Sequence, residues 1–139
     1  MVDQLKVGMT FEKTLTVTEA LTPPHLAGHG IGVLATPEMV RLIEQCALEG
    51  VQPFLQPNQS TVGMRVDVRH LAATPIGMKV TARCTLSEID RRRLVFTAEV
   101  RDELDKVGEA NHERFIVDTD RQQERIKEKL ARWEGGGRG

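Results

Sequence analysis

The sequence predicts an α+β domain in which an antiparallel sheet wraps around one buried helix, with a peripheral helix at the end. Three observations carry this. A long stretch with helical apolar spacing runs from Ala35 to Leu55. Four segments with alternating apolar residues then follow between Ser60 and Asp118, joined by short polar turns. The first two thirds of the chain hold no second convincing long helix, so the sheet has a single rod to cover.

From Thr10 to Thr18, Phe11, Leu15 and Val17 alternate with threonines, which predicts a strand with one buried side. Pro23, Pro24, Gly28, Gly30 and Gly32 make the next segment a loop with one short helical turn. In the central helix Thr36 stands as N-cap and Pro37 as first helical residue. Met39, Leu42, Ile43, Cys46, Ala47, Val51 and Phe54 form its apolar face, and Gly50 and Pro53 mark its end. Gln56 to Gln59 is turn material.

The strand from Ser60 to Leu71 is expected to place Val62, Met64, Val66, Val68 and His70 on one face. From Met78 to Ile89 the inward set is Met78, Val80, Ala82, Cys84 and Leu86; from Arg93 to Asp102 it is Leu94, Phe96, Ala98 and Val100. In the last strand, Val107 to Asp118, alternation puts His112 and Arg114 together, opposite Glu113, Phe115 and Val117. The Arg91–Arg93 run reads as a solvated hairpin turn. A final helix begins at Asp118 or Thr119 with Ile126, Leu130 and Trp133 on one stripe. The chain reads as one domain over residues 1–134 with a flexible Gly-rich tail at 135–139.

Length and charge bound the function. A chain of 139 residues can bury a real core, and a net charge of −1 lacks the basic excess of a nucleic-acid or anionic-membrane binder. No apolar run suits a bilayer, and charges at Asp3, Lys6, Glu12 and Lys13 rule against a signal peptide, so a cytoplasmic location is expected. Cys46 and Cys84 have no metal-ligand spacing and read as small core residues. His25 and His29 are broken by Gly28 and do not make a helical metal pair, and Gly28, Gly30 and Gly32 follow no strand, so no dinucleotide fingerprint is present. Phosphate-loop and nucleophile-elbow motifs are missing as well.

Three polar residues fall where burial is expected: Thr36, Glu44 in mid-helix, and His70 at a strand end. A buried carboxylate needs a partner. Packing helix against sheet could bring Glu44 to His70, a carboxylate–imidazole pair suited to acid–base chemistry. The plainer readings stand beside it: Thr36 as a cap only, Glu44 turned outward with Arg41 and Glu49, His70 as a structural histidine, Arg114 in an edge ion pair.

Thr36 with Glu44 eight positions on, Gly63 with His70 seven on, the run His70-Leu-Ala-Ala-Thr-Pro-Ile-Gly77, and His112-Glu113-Arg114 occur in one order and spacing. In these the sequence resembles the fluoroacetyl-CoA thioesterase-like branch of the hotdog-fold thioesterases, from about Val7 through the final helix. The resemblance implies a hotdog homodimer with sites at the subunit interface. It implies hydrolysis of a small acyl-CoA thioester to a free acid and coenzyme A, with no cofactor and no metal. Carried over, Thr36, Glu44 and His70 form the catalytic set. The Gly63 N–H polarises the thioester carbonyl, and Arg114 organises or binds near the site.

One departure bears on substrate. The fluoroacetate-specific member closes its acyl pocket with phenylalanines before the central helix, where this chain has Ala27 and Gly30 and no phenylalanine between Phe11 and Phe54. A general short-chain acyl-CoA is therefore expected. Two other readings use the same fold: a non-catalytic acyl-CoA or small-ligand binder, and an enoyl-CoA hydratase. The second lacks the hydratase Asp-x-x-x-x-His pattern, since Arg65 stands five residues before His70.

Overall fold

The computed structural model describes residues 4–137. Strand β1 (Thr10–Thr16) leads through a 3₁₀ turn (Glu19–Leu21) and a short helix α1 (Pro24–Ala27) into the central helix α2 (Thr36–Val51). A 3₁₀ turn (Gln52–Phe54) follows, then β2 (Gln59–His70), β3 (Lys79–Asp90), β4 (Arg93–Asp102), β5 (Lys106–Asp118) and helix α3 (Thr119–Arg132). The strands form one antiparallel sheet in the order β1-β3-β4-β5-β2, so β2 is an edge strand.

The apolar stripe of α2 is the reason for this arrangement. Met39, Leu42, Ile43, Cys46, Ala47 and Val51 are all buried, and they pack with Val80, Ala82, Cys84 and Leu86 of β3 and Leu94, Phe96 and Val100 of β4. Burying side chains of this size contributes about 1.5–3 kcal/mol each, so this single interface dominates the stability of the domain. Both cysteines lie in it as free, buried thiols.

Helix α2 closes at Val51, between Gly50 and Pro53 as expected. A Cβ at Gly50 would collide with the Phe11 side chain, so the glycine lets β1 pack close against the helix. Pro53 sits in the 3₁₀ turn that follows.

The one-face expectation for β2 fails in its first half. A bulge interrupts the β2–β5 register: Gly63 pairs with Arg114 and Arg65 with Glu113, leaving Met64 as the extra residue. Thr61 is therefore buried while Val62 and Met64 are exposed; Val66, Val68 and His70 beyond the bulge face inward and are partly covered. The loop before α2 also holds two short helical turns instead of one.

Helix α3 exposes Ile126 and Leu130, and the π-helical turn that continues it, Trp133–Gly137, exposes Trp133. Of the tail expected at 135–139, residues 138–139 lie outside the described residues. Among the described residues no helix is long and apolar enough to cross a membrane.

Candidate active site

Helix α2 starts one residue earlier than its sequence suggests. The N-cap is Ala35, in extended conformation, with Thr36 as the first helical residue and Pro37 as the second. The Thr36 hydroxyl makes no cap bond and lies 2.7 Å from Nδ1 of His70. Thr36 thus ties the first turn of the helix to the last residue of β2. His70 Nε2 is buried without a hydrogen-bond partner among the described residues, an exception to the rule that buried polar atoms are satisfied. Burial holds the imidazole below the ordinary histidine pKa, with the Ala72 backbone opposing it, so near neutral pH Nε2 belongs to an uncharged ring. A cleft of about 450 Å³ opens here, lined by Leu26, Val33, Leu34, Thr36, His70 and Leu71 among others.

Glu44 belongs to a second cluster. Its Oε2 lies 3.3 Å from Nη1 of Arg114, on β5. Two further donors of Arg114 go to Thr61: Nε to the hydroxyl at 2.7 Å and Nη2 to the carbonyl at 3.0 Å. Arg114 is only 5% exposed, and burial draws its guanidinium below the ordinary arginine pKa while Glu44 works against that shift. A cation so enclosed organises the carboxylate; it has little surface left for a substrate. At Gly63, its register partner, a Cβ would stand 2.5 Å from Glu44 Oε2, so any side chain there would displace the carboxylate. A second open cleft, of about 410 Å³, is lined by Pro37, Arg41, Glu44, Leu48 and Arg114.

The expected approach of Glu44 to His70 is not found within one chain. Eight helical residues separate Thr36 from Glu44, about 12 Å along the axis, and β2 carries Gly63 and His70 roughly 20 Å apart. The chain brings Thr36 to His70, and Glu44 to Gly63 and Arg114, as two separate clusters.

The bulge decides which face of the sheet the two clusters share. Gly63 and His70 are seven residues apart, an odd number that would put them on opposite faces of a regular strand. The extra residue Met64 restores parity, so both face the helix side of the sheet. One neighbour of this site escaped the sequence reading: His112, wholly buried, lies between Arg114 and the backbone of Arg65. Its place beside Arg114 on the inward face was the signal that could have singled it out.

The family model for fluoroacetyl-CoA-specific thioesterases, FlK, matches residues 17–120, which span both clusters. The chain belongs to this thioesterase family. It is similar to the fluoroacetyl-CoA thioesterase of Streptantibioticus cattleyicolor, 30% identical over 135 residues that cover 93% of this chain and 97% of that protein. A solved structure of the fluoroacetyl-CoA thioesterase FlK superposes with a TM-score of 0.83 at 29% identity, covering 91% of this chain and 98% of that one. A Thermus thermophilus member of the thioesterase superfamily gives 0.84 at 25% identity, covering 94% and 96%. The sheet around α2 is a hotdog fold, and the protein is a thioesterase.

Proposed function

We propose that this protein hydrolyses a small acyl-CoA thioester to the free acid and coenzyme A. The working site combines Thr36 and His70 of one copy with Glu44, Gly63 and Arg114 of a second. The observation that carries the reading is the division into two half-sites, each incomplete, with the unpaired Nε2 of His70 on one and the Glu44 carboxylate beside a bare glycine on the other.

The edge strand β2 is the natural seam. It pairs with β5 alone and leaves its other edge unpaired in the chain, and unpaired edges favour strand addition. Antiparallel pairing of two β2 strands about a twofold axis at Asp67, with Met64 left as the unpaired residue, sets His70 of one copy opposite Gly63 of the other. Facing strands lie about 4.8 Å apart, and opposed residues share a face. The bulge at Met64 makes that shared face the inner one.

In such a site the Gly63 N–H would donate to the thioester oxygen as negative charge develops there. Loss of one oxyanion donor of this kind costs about 3–4 kcal/mol of barrier. Neutral His70 would take a proton from water or, once protonated, give one to the departing thiolate, with Thr36 fixing its ring through Nδ1. Glu44, held by Arg114, would activate water or attack the carbonyl carbon directly. The coenzyme A enters as part of the substrate and no cofactor is needed. The lack of a phenylalanine before α2 leaves the cleft beside His70 lined by Leu26, Val33 and Leu34, which suits short acyl groups without selection for fluorine. A cytoplasmic location, where acyl-CoA is found, belongs to the same proposal.

Release of free thiol from a panel of acyl-CoA esters tests the reading. Turnover of short acyl groups is expected, falling at least about a hundredfold in Glu44→Ala and His70→Ala. Saturable binding without thiol release across the panel would refute it.

A further inference from the structure

The buried histidine of β5 has a wiring that admits one protonation state. His112 Nδ1 lies 2.8 Å from the Arg65 carbonyl, which can only accept, so Nδ1 carries the proton. Nε2 lies 3.3 Å from Nη1 of Arg114, which can only donate, so Nε2 offers its lone pair. The ring is thus a neutral Nδ1–H tautomer. Burial holds its pKa below the ordinary histidine value, with the Arg114 charge acting in the same sense and the Arg65 carbonyl, Glu44 and Glu113 against it. A protonated ring would turn an N–H toward the guanidinium and break the bond.

Each partner of His112 leads to a working part of the site. Nη1 of Arg114 has two hydrogens: with Nε2 of His112 taking one, the other is directed to Glu44 Oε2 at 3.3 Å. The Arg65 carbonyl is the first register point after the bulge, one residue beyond Met64 and two beyond Gly63. The imidazole also stacks on Phe96 at a centroid distance of 5.9 Å, which fixes its plane. A mere core filler would need only that stacking.

We propose that His112 is a positioning residue for hydrolysis: through Nε2 it aims Arg114 at Glu44, and through Nδ1–H it pins the bulge that presents the Gly63 amide. This rests on the reading of Glu44 and Gly63 given under Proposed function. His112 touches no substrate and acts through its two neighbours.

Three substitutions in the full-length protein separate its parts. His112→Phe keeps the stacking and loses both bonds; it is expected to lower kcat about 30- to 100-fold with KM changed less than about threefold. His112→Gln places an acceptor near the old Nε2, and His112→Asn a donor near the old Nδ1. Each is expected to recover at least about fivefold over His112→Phe, a rescue that a filler role does not produce. Turnover by His112→Phe within threefold of the parent, or equal turnover by all three variants, would overturn the proposal. Nitrogen-15 NMR of the imidazole in the unmodified protein supplies a readout independent of activity and of mutant folding. The Nδ1–H tautomer at neutral pH is expected, and Nε2–H would overturn the wiring. If the unmodified protein released no thiol, the thioesterase reading would fail instead, and the tautomer would still decide the hydrogen bonding.

Discussion

The Thr36 hydroxyl lies 2.7 Å from His70 Nδ1, joining the first turn of the central helix to the end of the edge strand. A threonine beside a proline at a helix start is ordinarily a cap, and here it is not, because Ala35 holds the cap position. The two roles separate experimentally. Loss of a true cap costs about 1 kcal/mol. Thr36→Ala is expected to cost less than about half of that, while lowering kcat about tenfold or more by freeing the His70 ring. Thr36→Ser, which keeps the hydroxyl, should stay close to the parent. Urea denaturation and steady-state kinetics on the same samples check both statements.

Gly63 and Arg114 should fail in different ways. Gly63→Ala puts a methyl 2.5 Å from Glu44 Oε2. The Glu44 side chain is 40% exposed and can swing aside. Stability is therefore expected to drop by less than about 1 kcal/mol, and kcat by a hundredfold or about that. Arg114→Met instead removes the donors on both Thr61 oxygens and the buried partner of Glu44. It should cost about 2–4 kcal/mol of stability as well as activity. An Arg114→Met protein as stable as the parent would contradict its role as the organiser of this cluster.

The pH dependence follows from His70. Its folded pKa is lowered, chiefly by burial, so the neutral base is present at neutral pH. The acidic limb of kcat/KM is then expected below the ordinary histidine value of about 6.5. The same sign holds for stability. Between the lowered folded value and about 6.5 the unfolded chain binds the proton and the folded one does not, so stability declines as pH falls through that window. His112, also lowered, adds in the same direction. A plateau in kcat/KM that began only above pH 7 would contradict the assignment of His70 as base.

Substrate choice can be measured against the missing aromatics. The cleft beside His70 has Leu26, Val33 and Leu34 on its walls and no phenylalanine. Acetyl-CoA and fluoroacetyl-CoA should differ in kcat/KM by less than about tenfold, the margin left to the acidity of the fluorinated acid and one small contact. Competition assays with the two esters give that ratio directly. Discrimination of a thousandfold would mean that the pocket selects fluorine by another route.

The sequence made much of this plain, and for physical reasons. The helical period of Met39 through Val51 and the alternation of Val80–Leu86 and Leu94–Val100 report burial on one face, and burial is what forms this fold. The shared face of His112 and Arg114 followed from the same alternation. Local pattern failed where tertiary geometry intervened. Met64 breaks the period-2 rule by bulging, which no run of valines announces. Gly50 marks the helix end as expected, but its contact with Phe11, thirty-nine residues away in sequence, is a second reason for glycine that spacing does not show. The meeting of Glu44 and His70 could not be judged from spacing, because it depends on how helix and sheet pack, and within one chain they lie in separate clusters. His112 was passed over because a charged triplet in a strand does not show which members are buried.

Mixed dimers test the central claim most directly. If each site joins Thr36 and His70 of one copy to Glu44 and Gly63 of the other, His70→Ala and Glu44→Ala homodimers are both inactive. A heterodimer of the two variants, however, holds one intact site. Random reassociation of equal amounts should restore about a quarter of the unmodified thiol-release rate, since half the dimers are mixed and each carries one working site of two. No recovery, in a mixture shown by mass spectrometry to contain the heterodimer, would contradict the shared site.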